Sequence, residues 1–456
     1  MSQLRRELRL RDLVWLNICA VASLRWVATA AHAGPVSIVL WVIAALFFFL
    51  PSAIVIARLS DRFPEEGGMY IWTKRAFGDR HAFLCAWFYF ISNVLYFPSL
   101  LLAGISMVAY AFGDTGVRFA EERVYALPMT LLVLWALFLA NAFGLKVAKW
   151  VSTAGGAATF FIAGVLGIFA LIVLMRFGPA TTFQLLPRAS LGTLNFWSQI
   201  AFAFIGLELA PIVSGEMHNP RRDLPRAAAI GAAACAVYYV ASTAALLVLL
   251  PPTEISPMTG LAQAGLAAAK SFGMPVVAAL FAVLIGVAIA GQAGTYIAGN
   301  TRLPYVIGLD RYIPSAFARL HPRWNTPYLA LLVQAAISTI FLVMAQLGET
   351  VRATYQIMVD LVVIVTFVPF LYIFASGFCF ASRIAAVSGL LVTAIAIVLS
   401  VVPPPEAASV TIFEIKVVGG CLLFAALGWM IFRRYEARRP QTGTETGTAL
   451  PQLKNS

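Results

Sequence analysis

Polar residues are sparse along this chain, and long apolar runs recur between short polar breaks. Twelve stretches approach or exceed the roughly 20 apolar residues that cross a hydrocarbon layer as helix. They cover residues 13–32, 36–57, 82–110, 125–143, 151–175, 192–213, 227–250, 275–300, 327–346, 355–380, 384–402 and 412–432. The pattern predicts an all-α integral membrane protein with 12 transmembrane helices. Two of the runs carry polar residues in their middles. The first holds Asn17, Ser23 and Arg25, and the sixth holds Ser198, Gln199, Gly206 and Glu208, followed by Pro211. Such interruptions free backbone groups, which a bilayer tolerates only where they line a cavity or pack against protein. Broken helices 1 and 6 fall at corresponding places if the first ten spans are two halves of five. That spacing predicts a five-plus-five inverted repeat with its site at the repeat interface.

Composition agrees with this reading. The 456 residues are 61% hydrophobic and 11% charged, with a mean hydropathy of +0.86, and no soluble class fits that balance. The net charge of +12 invites a nucleic-acid reading, but its distribution argues against such a partner. With the N-terminus inside, most of the 32 Lys and Arg fall in cytoplasmic segments, so the surplus is a topology signal that places both termini in the cytoplasm. The N-terminal arginines and Ala31-His32-Ala33 imitate a signal peptide. The apolar run is long for one and contains Arg25, so a retained first helix is expected. The five cysteines show no CxxC pair and the four histidines no metal spacing, so no metal is expected. The organisation predicted is a cytoplasmic segment at 1–12, a ten-helix transport core at 13–380, two peripheral helices at 381–432 and a disordered cytoplasmic tail at 433–456.

Four motifs in order carry a resemblance. FPEEGGMYIWTKRAFGDRHAF follows the second run. FIGLE, then GEMHNPRRDLPRA, closes the sixth. AGNTRLPYVIGLDRYIPSAFARLHPRWNTP follows the eighth, and VTFVPFLYIFAS lies in the tenth. Together they resemble the amino acid–polyamine–organocation superfamily of permeases, over residues 10–435. The resemblance implies twelve helices and transport of an amino acid or related amine by alternating access across a bacterial inner membrane. It also implies a central cavity lined by the third and eighth spans, here Asn93, Tyr96, Gln292 and Tyr296, each of which reads alternatively as a hydrogen bond between helices. Three features depart from the family pattern. Val21-Ala22-Ser23-Leu24-Arg25-Trp26 stands where a G-S-G run is usual. Phe202 stands where exchangers of basic amino acids carry tryptophan. The fifth span has no lysine between Val151 and Leu174.

An α-amino acid presents two opposite charges a few ångströms apart, and half-helix ends can meet both. Free amides near Ala22 and Ser23 suit the carboxylate. Carbonyls from Phe202 through Phe204 and Ile205, beside Gly206, suit the amine. Phe202 and Phe204 read as cavity walls or as packing. Arg25 reads either as an anion-binding guanidinium or as a structural cation, paired with Glu208 or Asp360 or reaching for an interface. Glu208 and Asp360 are candidate coupling groups, with Glu208 alternatively bonding amides at the break. No ATP-binding motif is present, so the expected cofactor is at most a coupling proton or sodium ion. The expected partners are the solute and the lipid bilayer. A polyamine or organic-cation carrier of the same superfamily is the alternative, and no enzymatic cluster is visible.

Overall fold

A backbone without water around it must pair its amides and carbonyls within its own segment, so the apolar runs become helices. The computed structural model describes residues 6–183, 191–271, 273–346, 350–401 and 418–437. The helices are α1 (Leu10–Val21), α2 (Leu24–His32), α3 (Val36–Ala44), α4 (Leu50–Arg62), α5 (Met69–Phe77), α6 (Asp79–Ala109), α7 (Gly113–Phe119), α8 (Arg123–Ala142), α9 (Leu145–Phe177) and α10 (Leu191–Ala203). They continue with α11 (Leu209–Ile212), α12 (Pro220–Leu249), α13 (Gly260–Ser271), α14 (Pro275–Asn300), α15 (Arg302–Leu309), α16 (Tyr328–Gln346), α17 (Val351–Phe380), α18 (Arg383–Val401) and α19 (Gly420–Glu436). A π-helical turn, Ala45–Phe49, links α3 to α4.

Among the described residues, ten helical stretches are long and apolar enough to span a membrane. The other two expected spans are shorter. The sixth is divided into α10, an irregular link and the four-residue α11. The last is the 17-residue α19, which runs to Glu436; its expected start at 412 and the tail beyond 437 lie outside the described residues. The short helices α7 and α13 have no counterpart among the expected spans, because each is too short to give a membrane-length run.

The bundle is layered by burial. The α6 segment is 83% buried in its most apolar window and the α1–α2 segment 89%, whereas the α9 segment is 28% buried. α6 packs against α14 and α17, and α1 against α12, α9 and α14. The outer helices expose large apolar side chains such as Phe47, Leu132, Phe161 and Leu391. A continuous apolar exterior of this kind suits lipid tails and is avoided by soluble monomers. All five cysteines are free, with Cys379 exposed and Cys19, Cys85 and Cys235 buried.

Small residues let α9 and α14 approach backbone to backbone. A Cβ built on Gly155 would stand 2.5 Å from the Gly291 Cα. Ser152 and Thr295 join their hydroxyls 2.5 Å apart at the same crossing. The contact is confined to the first part of the small-residue run, since Gly164 and Gly167 have no neighbour within 4 Å of such a Cβ.

The motif loops meet at one end of the bundle. Arg302 Nε donates to Glu216 Oε1 at 2.9 Å in a buried ion pair. The Glu7 and Leu8 amides donate to the Glu216 carbonyl, and the Gly67 amide donates to the Ile212 carbonyl. Tyr70 and Lys74 both reach Asp310, at 2.5 and 2.6 Å. The N-terminal segment, the α4–α5 loop, the stretch after α11 and α15 are thereby tied together. Glu66 sits among them, and burial, with Glu216 adding to it, pushes its carboxyl from 4.5 up to about 8.

Two predictions follow from this packing. Gly155→Val should lower the melting temperature in detergent, because an overpacked contact costs about 1–3 kcal/mol, while Gly164→Val should not; equal melting of the two variants would refute the close crossing. The folded protein holds the Glu66 proton to a higher pH than the unfolded chain. Its contribution is therefore complete below about pH 4.5 and declines as pH rises through about 8. Glu66→Gln should accordingly narrow the difference in melting temperature between pH 6 and pH 9, and an unchanged difference would mean that Glu66 is ionised in the fold.

Candidate functional site

The two interrupted helices touch at their interruptions. α1 ends at Val21, and Ala22 and Ser23 are extended before α2 begins. α10 ends at Ala203, and the chain passes Gly206 at φ +144° before α11. Only glycine suits this place. Beyond the backbone conformation, a Cβ there would stand 2.9 Å from Val21 Cγ2 and 3.0 Å from the Ala20 carbonyl carbon.

Side chains from other helices satisfy the backbone that the breaks release. Tyr239 of α12 is fully buried and reaches both breaks. Its hydroxyl accepts from the Ser23 amide at 3.1 Å. The Val21 carbonyl at 2.6 Å and the Ala203 carbonyl at 2.9 Å compete for its single proton. Trp41 stacks on its ring at 4.2 Å. Gln292 of α14 donates to the Ala20 carbonyl at 2.9 Å, and Tyr296 to the Ile205 carbonyl at 3.2 Å. Glu208 is fully buried and accepts from the Gly206 amide at 2.8 Å and the Tyr89 hydroxyl at 2.9 Å. Neither bond involves Arg25.

Beside the breaks lies a cavity of about 10 Å³, lined by Tyr89, Ser92, Asn93, Tyr96, Phe202, Ile205, Tyr296 and Thr366. It has room for roughly one water molecule, against the roughly 300 Å³ or more of a ligand pocket. Aromatic walls close it: Tyr96 lies 5.0 Å from Tyr296 and 6.3 Å from Phe202, and Phe202 lies 5.3 Å from Trp26. A solute fits only when these walls part. A larger apolar cleft of about 360 Å³ near Phe83, Pro304 and Arg434 touches neither break, so the chemistry points to the smaller space.

Of the residues singled out from sequence, Asn93, Tyr96, Phe202, Ile205 and Tyr296 line this cavity, and Ala22, Ser23 and Gly206 form the breaks. Phe204 lies in an aromatic cluster, stacked on Phe49 at 4.4 Å and edge-on to Trp41 and Tyr239. The Asn93 amide nitrogen donates to its own helix, at the Tyr89 carbonyl. Arg25 is buried beside Tyr96, its guanidinium 4.6 Å from the ring centre. Asp360 is buried on α17. Sequence reasoning passed over Tyr89, Tyr239 and Thr366. Each looks like one more polar residue in an apolar helix. A buried tyrosine hydroxyl needs a partner, and that need was the available signal.

The comparisons agree with this architecture. The amino acid permease family model matches residues 8–409. An uncharacterised transporter of Legionella pneumophila is 26% identical over 96% of this chain and 98% of its own. A probable agmatine/putrescine antiporter of Lactococcus lactis is 26% identical over 63% of each chain. The methylthioribose transporter of Bacillus subtilis is 24% identical over 72% of each. The chain belongs to the amino acid permease family of the amino acid–polyamine–organocation superfamily, as a multi-pass membrane transporter of small amino-acid- or amine-like solutes and not an enzyme.

Proposed function

We propose that this protein moves an amino acid or a related amine across the bacterial inner membrane by alternating access. The observation that carries the proposal is the pair of helix breaks, Ala22–Ser23 and Phe204–Glu208, set against each other beside a closed cavity with Tyr239 bridging them. In this reading the chain has twelve spans with both termini cytoplasmic, and the first ten form a five-plus-five inverted repeat within residues 13–380. Residues 381–432 are peripheral, and 433–456 form the cytoplasmic tail. Spans 1, 2, 6 and 7 rock against spans 3–5 and 8–10, opening the cavity to one side at a time. The Ala22 and Ser23 amides, expected to be free, already donate to the Ile18 carbonyl and the Tyr239 hydroxyl, so the α-carboxylate meets the first turn of α2 instead, and the amine meets carbonyls between Phe202 and Ile205. Three of those carbonyls, from Phe202, Ala203 and Ile205, already lie within hydrogen-bond distance of protein donors. Their second lone pairs stay available to an ammonium group.

Glu208 is the coupling group in this reading, with Asp360 as the second carboxylate of the core. Glu208 binds both the break and Tyr89, so a change in its proton occupancy would alter the seam between α6 and the sixth span. The tie at the motif end, made by Glu216, Arg302 and the N-terminal segment, closes the cytoplasmic side. The probable agmatine/putrescine antiporter among the relatives supports a second reading, a polyamine carrier.

Counterflow in proteoliposomes should show saturable exchange of a labelled amino acid or amine that empty liposomes lack. A panel without exchange would remove the solute class. Tyr239→Phe should destabilise the protein by about 1–3 kcal/mol, the cost of leaving buried groups unpaired, and slow exchange; unaltered melting and exchange would mean that Tyr239 does not hold the breaks. Glu208→Gln should change the pH dependence of transport. A profile superimposable on wild type would exclude Glu208 as the coupling group.

A further inference from the structure

Arg25 occupies the first turn of α2 and is 1% exposed. One of its nitrogens, Nη1, donates to the Ser99 hydroxyl at 3.1 Å. Nε and Nη2 are buried and make no hydrogen bond of regular geometry, with the Tyr96 and Tyr355 hydroxyls the polar groups turned toward the guanidinium. Among the described residues the guanidinium has no ion pair, and both oxygens of Glu208 are engaged elsewhere. Trp26 and Tyr96 lie against it, at 4.4 and 4.6 Å from their ring centres. Aromatic faces ease the burial of a cation but leave its in-plane donors unmet. Two other buried polar atoms make no hydrogen bond of regular geometry, Ser23 Oγ at the start of the same helix and the Tyr355 hydroxyl, which lies toward the guanidinium and Thr29. The place therefore offers a cation, two hydroxyls and a helix N-terminus, against the same Tyr96 ring that lines the closed cavity.

An arginine left this way in the interior of a membrane protein is costly, and an anion that meets it bidentately removes the cost. We propose that Arg25 is the receptor for an anionic group of the transported solute, and that the solute class is acidic amino acids or similar dicarboxylate-bearing amines. The inference rests on the amino-acid transport reading and narrows it. A neutral amino acid brings one carboxylate, which the first turn of α2 receives, and leaves Nε and Nη2 unmet. A second carboxylate, separated from the first by a two- or three-carbon chain, reaches the next residues of the same helical turn. A polyamine would bring further positive charge beside the guanidinium, which repels it.

The test compares glutamate with glutamine, a pair of the same shape that differs in one charge. It measures thermal stabilisation of the purified wild-type protein and inhibition of counterflow, with alanine, agmatine and putrescine alongside. Glutamate or aspartate should stabilise the wild type and be preferred over glutamine by about tenfold or more, as expected for a charge-assisted bond. Arg25→Gln should lose most of that preference, and Arg25→Lys should regain part of it. Thermal melting of the ligand-free variants reports whether they fold, and the wild-type preference stands independently of them. Equal response to glutamate and glutamine, or exchange of agmatine or putrescine with no response to acids, would overturn the anion site and leave the transport reading intact. No exchange and no stabilisation by any of the solutes would overturn both.

Discussion

Breaking two helices inside an apolar layer releases backbone amides and carbonyls that cannot turn to water, and the centre of this protein is arranged around that problem. An unsatisfied group there costs several kcal/mol, so partners come from neighbouring helices. Tyr239 reaches across from α12, Gln292 and Tyr296 from α14, and Glu208 folds back on the Gly206 amide. Because these partners sit on separate helices, the breaks also fix how α1, α10, α12 and α14 stand relative to one another. Gly206 is what lets the breaks meet, since any side chain there would collide with Val21.

The same economy of polar groups governs the motif end. The loops after α4, α11 and α14 are far apart in sequence. They meet through Arg302–Glu216, Tyr70–Asp310 and the backbone bonds of Glu7 and Leu8. The chain that leaves α11 is therefore bonded to the segment that precedes α1. The lower halves of both broken helices share one anchor, so they are placed to move as a unit. Glu66, whose carboxyl is held protonated to about pH 8, adds a neutral group to this anchor where another negative charge would face Glu216.

The aromatic side chains make the closed state specific. Trp26 packs edge-on to Phe202, and Tyr96 packs at a tilt against Phe202 and Tyr296, which reduces the central space to the size of one water molecule. Closure by rings is readily reversed: a rotation of one helix against another separates the pairs without breaking a covalent or ionic bond. Polar bonds hold the helix breaks and ring contacts hold the cavity shut, and Tyr296 serves in both, so parting its wall also gives up its bond to the Ile205 carbonyl.

Much was legible from sequence alone. Run lengths gave the helical membrane class, because about 20 apolar residues cross hydrocarbon as a helix, whereas the strands of a closed barrel are about half as long. Gly206, Glu208 and Pro211 marked the sixth span as interrupted, because such residues have no place in an unbroken apolar helix. Asn93, Tyr96 and Tyr296 came by resemblance, and they do line the central space. Tyr89 and Tyr239 were hidden, since one tyrosine in an apolar helix looks like another until the carbonyl it serves is known. Phe202 and Phe204 read from sequence as walls or as packing; Phe202 lines the small cavity and Phe204 packs among Phe49, Trp41 and Tyr239, as two residues beside one break need not face the same way once the helix has ended. For Arg25, sequence offered ion pairing or anion binding; tertiary structure put Glu208 out of its reach and left two donors open. Sequence determined which segments are long and apolar enough to cross a membrane and where the first and sixth are interrupted, because those depend on local composition. Which groups meet at the breaks was decided by packing between helices hundreds of residues apart, for which local composition carries no record.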